Sequence, residues 1–144
     1  YNNLCTLLHR GNDKAKETPI PKYTDYISHA KRVMKLNPDV RFLLQSDETE
    51  FIETLSNEFP DNSFHLKDHI RTINSHCTSV DLKDTTVYDN YKFSKLYLAI
   101  TLMMSKSKYI ICGTGNCSVW VMLYRGHANN VIQFDRAGEW ISNI

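Results

Sequence analysis

The chain has 144 residues and a formal net charge of +1, with 42% hydrophobic and 23% charged residues, which accommodates one globular domain with a sizeable core. The near-zero charge argues against a broad nucleic-acid or membrane surface driven by charge alone, and leaves room for one small basic pocket. No apolar run approaches the ~20 residues that span a bilayer.

The first apolar run, residues 4–8, ends abruptly in His9, Arg10, Gly11, Asn12, Asp13 and Lys14. An apolar run bounded by Gly and Asn reads as a buried strand and a tight turn. Polar groups at the carboxyl end of such a strand lie where open α/β sheets place ligands. Arg10 offers a planar fork suited to a phosphate, and Asp13 either holds that arginine or caps the next element. A solvated polar turn fits the same residues. The strand starts almost at the first residue, so a preceding domain is expected.

Residues 15–21 read as a loop with two prolines. Residues 22–35 read as a helix, because Tyr23, Tyr26, Ile27, Ala30, Val33 and Met34 share one face. Asn37-Pro38-Asp39 ends it. Residues 40–45 form a strand that runs into Ser46 and Asp47, either of which can cap the helix over 49–59. Glu48, Glu50 and Glu53 read as a solvated charged face. A short strand over 63–66 precedes the least periodic length, 67–89, which contains Arg71 and is longer than most connections.

Residues 91–105 return to helix, with Phe93, Leu96, Tyr97, Ile100 and Met104 on one face. Leu98, Leu102 and Met103 broaden that face, so burial on most sides is expected. Residues 108–112 form a strongly apolar strand, and 113–116 a glycine-rich turn. Residues 117–124 form a helix closed by Gly126, and 130–134 the last strand. The tail over 135–144 is expected to anchor through Trp140. Phe42, Phe51, Phe59, Tyr97, Tyr109 and Trp120 read as core.

The order is therefore β-α-β-α-β-loop-α-β-α-β. It predicts an α/β, Rossmann-like parallel sheet with helices on both faces, since the strands are continuous apolar runs. Strand ends in such a sheet gather on one edge. That would bring residues 10–14, Ser46-Asp47, the region of Arg71 and residues 113–118 to one crevice. The free amides of the helix after Gly115 suit a phosphate, and Asn116 and Ser118 can add hydrogen bonds or simply cap the helix. Gly113-x-Gly115-x-x-Ser118, with Asp135 downstream, also approximates a dinucleotide fingerprint. Against that reading, the third glycine is Ser118 and the unit comes last in the chain.

The histidines are scattered without metal-ligand spacing, and Cys5, Cys77, Cys112 and Cys117 form no CxxC pair, so no metal cofactor is expected. Cys5 and Cys112 read as buried free thiols, which favours a reducing compartment.

Leu7-Leu-His-Arg-Gly-Asn-Asp-Lys14, with Glu17 and Tyr26 downstream, resembles the H-x-R-G-T-D-K-x-x-E segment of fucosyltransferase-like glycosyltransferases, the α-1,6 and nodulation enzymes among them. Phe42-Leu-Leu-Gln-Ser-Asp47 is similar to their strand ending in T-D. Leu102-Met-Met-Ser-Lys-Ser-Lys-Tyr-Ile-Ile-Cys-Gly-Thr-Gly-Asn-Cys-Ser118 is similar to their L-S-x-x-D-x-x-I-x-T-x-x-S-x-x-S stretch. The resemblance covers most of the chain in the right order. It implies the C-terminal, GDP-fucose-binding half of a two-domain GT-B fold, with residues 1–144 as the nucleotide-sugar domain and a missing N-terminal domain holding a glycan or glycoconjugate acceptor. It implies Arg10 as the catalytic contact to the donor diphosphate, supported by Asp13. His9, Lys14, Asp47, Gly115, Asn116 and Ser118 would complete the donor site.

The chain departs from the family pattern at two positions that bear on guanine recognition. The family histidine stands two residues before the arginine, where this chain has Leu8, with His9 adjacent instead. A base-reading acidic residue is replaced by Ile100. The function expected is donor binding for metal-independent fucosyl transfer, with no nucleic-acid partner. A non-catalytic nucleotide-binding relative and an NAD(P)-dependent oxidoreductase domain are the alternatives.

Overall fold

A computed structural model describes residues 1–66 and 90–144, apart from the side chains of residues 13, 15, 90 and 93. The polar stretch around Arg71, together with Cys77, lies outside the described residues. The strands are β1 (Leu4–His9), β2 (Arg41–Ser46), β3 (Ser63–His65), β4 (Tyr109–Gly113), β5 (Val131–Phe134) and β6 (Trp140–Ser142). The helices are α1 (Tyr23–Leu36), α2 (Thr49–Glu58), α3 (Asn90–Ser105) and α4 (Asn116–Arg125), and a 3-10 turn covers Asn12–Lys16. The sheet order is β3-β2-β1-β4-β5-β6. The first five strands are parallel, and β6 runs antiparallel to β5. This is a Rossmann-like α/β fold.

Side-chain alternation along the strands assigns each helix to a face. Cys5, Leu7, Phe42, Leu44 and Ile111 point to one side and are covered by Tyr26, Ala30 and Val33 of α1 and by Phe51, Ile52 and Leu55 of α2. Leu8, Leu43, Ile110 and Cys112 point to the other, against Ile100 and Met104 of α3 and Val121 of α4. Each large side chain buried here stabilises by about 1.5–3 kcal/mol. Cys5 and Cys112 are free and buried, and burial pushes the Cys112 thiol up to about 12. Some polar groups inside the layers are matched to one another. Thr6 and Ser107 share a hydroxyl hydrogen bond of 2.8 Å, and the Tyr26 hydroxyl donates to the Leu8 carbonyl at 3.0 Å.

Several expectations are corrected. The tail is a sixth strand, so the sheet is not wholly parallel: Gln133 pairs with Ile141 and Phe134 with Trp140. Trp140 still anchors it, packing on Tyr26, His29 and Phe134. The loop expected from residue 15 is preceded by the 3-10 turn, which carries residues 12–16. Neither Ser46 nor Asp47 caps α2. The N-cap is Glu48 without a side-chain cap, because the Ser46 hydroxyl accepts from the Glu48 amide and Asp47 is drawn toward β1. Helix α3 is not buried on most sides, since Leu98 and Leu102 face solvent. Trp120 is not core but 55% exposed, because α4 buries only the stripe containing Ser118 and Val121.

Candidate functional site

Strand order reverses between β1 and β4, the switch point at which doubly wound sheets open a crevice beyond their carboxyl ends. Register determines which residues meet there. His9 pairs with Ser46, so Arg10 and Asp47 leave the sheet side by side. Leu8 pairs with Cys112, so the residues after β1 also face the turn after β4. A crevice results between Arg10, Pro19 and Pro21 on one side and Gly113, Gly115 and Cys117 on the other. A second, smaller recess lies across Arg10, toward Gln45, Asp47 and Tyr97.

Asp47 holds the loop after β1. Its carboxylate accepts from Arg10 Nε at 2.9 Å and from the Gly11 amide at 3.0 Å, while its backbone carbonyl accepts from Asn12 Nδ2 at 2.9 Å. The carboxylate is almost fully buried, while the Arg10 side chain keeps 25% of its exposure. Burial, the largest single influence, would lower the Arg10 guanidinium, but Asp47, Cys117 and Tyr97 together hold Arg10 above its usual value. Arg10 Nη1 reaches Cys117 Sγ at 3.2 Å, in the first turn of α4, and the Tyr97 hydroxyl lies 2.6 Å from the same sulfur. Burial first, and then the neighbouring thiol, raise the Tyr97 phenol. The guanidinium thus spans the switch point between two strand ends and a helix start.

Glu48 secures the other side of the same loop. It accepts from His9 Nε2 at 2.9 Å, from the Tyr23 hydroxyl at 2.5 Å and from the Asn12 amide at 3.1 Å. Burial first, and then the bond to Glu48, raise the Tyr23 phenol. The carboxylate lies against Gly11, where an added Cβ would fall 1.9 Å from Glu48 Oε1, so only glycine leaves room for this grip. Glu48 is therefore not part of a solvated face, unlike the expectation from the charge run.

The expected residues separate by placement. Arg10, Gly115 and Ser118 converge on the crevice, while Asp47 lines the second recess and reaches the crevice only through its bond to Arg10. Ser118 is buried and its hydroxyl closes the turn, accepting from the Gly115 amide at 3.1 Å and donating to the Gly115 carbonyl at 2.7 Å. Asn116 stands exposed at the first residue of α4. Lys14 reaches Glu17 at 2.5 Å. His9 is fully buried on the opposite side of the sheet from Arg10, stacked on Phe51 at 4.8 Å, as adjacency to the arginine on a strand requires. The side chain of Asp13 lies outside the described residues, and the bond to Arg10 Nε comes from Asp47.

Glu48, Tyr97 and Cys117 were missed by sequence reasoning. For Glu48 the available signal was an acidic pair directly after a buried strand. For Cys117 it was a polar atom in the first turn after a glycine bend. Among the described residues no group of three or more His, Cys, Asp or Glu side chains is placed to hold a metal ion. Fold and site together define a Rossmann-like α/β domain with an arginine poised at its switch point. Compared with known proteins, the chain matches no family model and no curated sequence.

Proposed function

We infer that this chain is the donor-binding domain of a fucosyltransferase-like glycosyltransferase, taking a GDP-sugar, with GDP-fucose the expected donor, as one half of a GT-B enzyme. The observation that carries the reading is the Arg10 guanidinium, held from behind by Asp47 and directed at the first turn of α4 across the switch point. Breaking a sugar–phosphate bond leaves negative charge on the diphosphate. A preorganised guanidinium stabilises that charge as it develops, and the first amides of α4, which have no carbonyl within their own helix, add to it. The motif resemblance supplies the donor class, and a preceding domain would supply the acceptor.

The second reading, a dinucleotide domain, is favoured by one feature: the Gly113-x-Gly115 turn does lead from β4 into α4. The turn follows the fourth strand, however, whereas a dinucleotide domain uses the first.

Thermal unfolding in the presence of GDP, UDP and NAD separates these readings. GDP should stabilise the chain, and Arg10→Ala should abolish the shift, because it removes a charge-assisted contact worth about 1.5–3 kcal/mol. Stabilisation by NAD and not by GDP would overturn the glycosyltransferase reading. Binding of GDP-fucose without hydrolysis or transfer, once the preceding domain is supplied, would favour the non-catalytic relative.

A further inference from the structure

The overall charge of +1 conceals a segregation. Between residues 90 and 134 stand Lys92, Lys95, Lys106, Lys108 and Arg125, and no Asp or Glu. This segment supplies α3 and α4, which lie against each other on one face of the sheet. Their outer surface is apolar: Leu98, Leu102, Val119, Trp120, Leu123 and Tyr124 are exposed, Leu123 by 63%. On α3 the outward stripe reads Tyr91, Lys95, Leu98, Leu102, at the spacing that keeps residues on one helix face, and exposed Lys106 follows one residue past the helix end. The Lys95 ammonium lies 4.3 Å from the centre of the Tyr91 ring. A helix that is apolar on both its inner and its outer face needs a second covering layer, and contiguous exposed apolar surface marks an interaction site.

We propose that the outer face of α3 and α4 docks on the surface of an anionic lipid bilayer. Charge selects the occupant. A second copy of the chain would bring lysine against lysine, whereas an anionic surface complements them. The side chains fit the interfacial zone. Trp120, Tyr124 and Tyr91 combine an apolar ring with a polar tip, and Lys95 and Lys106, on either side of Leu98 and Leu102, can keep their ammonium groups at the headgroups while their stems lie along the apolar layer. No described helix is long and apolar enough to cross a membrane, so the contact is peripheral. Arg10 and Asp47 take no part in it, so docking stands or falls independently of donor binding.

The test uses the full chain and sedimentation with phosphatidylcholine vesicles, with or without phosphatidylserine. The chain should sediment with the anionic vesicles alone, and raised salt should release it. Lys95→Glu with Lys106→Glu should weaken binding by roughly tenfold or more, and Trp120→Ser with Leu123→Ser should abolish it. In a Trp140→Phe background, emission from Trp120 should shift to the blue on binding. Absence of binding to anionic vesicles, equal binding to neutral ones, or insensitivity to salt would overturn the proposal without recourse to any variant. Sedimentation of the free chain as a dimer that Trp120→Ser with Leu123→Ser dissolves would overturn it in favour of self-association.

Discussion

The Glu48 carboxylate takes hydrogen bonds from His9, Tyr23 and the Asn12 amide. The bond from His9, followed by that from Tyr23, holds its carboxyl below the ordinary value, while burial acts the other way. A carboxyl so depressed contributes stability above its unfolded-state pKa of roughly 4.3, and that contribution is lost as pH falls through the lower folded-state value. Glu48→Gln should therefore lower the melting temperature at neutral pH, with the two proteins converging as the pH falls below the unfolded-state value and through the lower folded-state one. Thermal unfolding across the acid range checks this, and a constant gap down to the lowest pH would remove Glu48 as the source. Charge pattern alone could not identify this residue. Glu48, Glu50 and Glu53 look alike in sequence, and only the return of β1 beside β2 brings His9 to one of them.

Helix α4 is held at both ends. Ser118 closes its first turn, and Gly126, with φ of 78°, ends it in the left-handed conformation expected of a glycine C-cap. Beside that end, Arg125 Nη1 donates to the carbonyls of Ser105 and Ser107, and Nη2 to those of Lys108 at 2.8 Å and Asn129 at 3.0 Å. One guanidinium thereby ties the end of α3, the approach to β4 and the loop before β5 to one helix. Arg125→Lys keeps the charge but not the fork, and should cost about 2 kcal/mol in urea unfolding; an unchanged midpoint would show that water replaces these contacts. The helices were legible because their buried positions recur every three or four residues, as Phe51, Ile52 and Leu55 do. Strand β6 was not, because three residues carry too little pattern and its pairing with β5 depends on the turn between them. The outer face of α3 misled because periodicity registers which residues are apolar, not which of them find a neighbour.

The parallel order and the two helical layers could be read from alternation of elements and continuous apolar strands, and the convergence of Arg10 with the turn after β4 follows from that order. The anchoring of the tail by Trp140 could be read too; what could not was that the tail adds a sixth, antiparallel strand at the last edge. Trp140 packs within 5.4 Å of Tyr26 and 4.5 Å of His29 between ring centres, and its buried Nε1 has no hydrogen-bond partner among the described residues. Trp140→Phe should accordingly change stability little, whereas Trp140→Ala should cost about 3 kcal/mol. Denaturant titrations of both variants decide this, and equal losses would point to the indole nitrogen rather than to packing.

The strand order also carries a kinetic consequence. β1, the first strand of this sheet in chain order, lies at its centre between β2 and β4, and Cys5 pairs with Tyr109. During synthesis β1, β2 and β3 can assemble while one rim of β1 waits for a partner more than half the chain away. Closing so long a loop is slow and leaves an apolar strand unguarded in the meantime. The arginine-bearing end of β1 therefore matures late, when β4 arrives to shelter it.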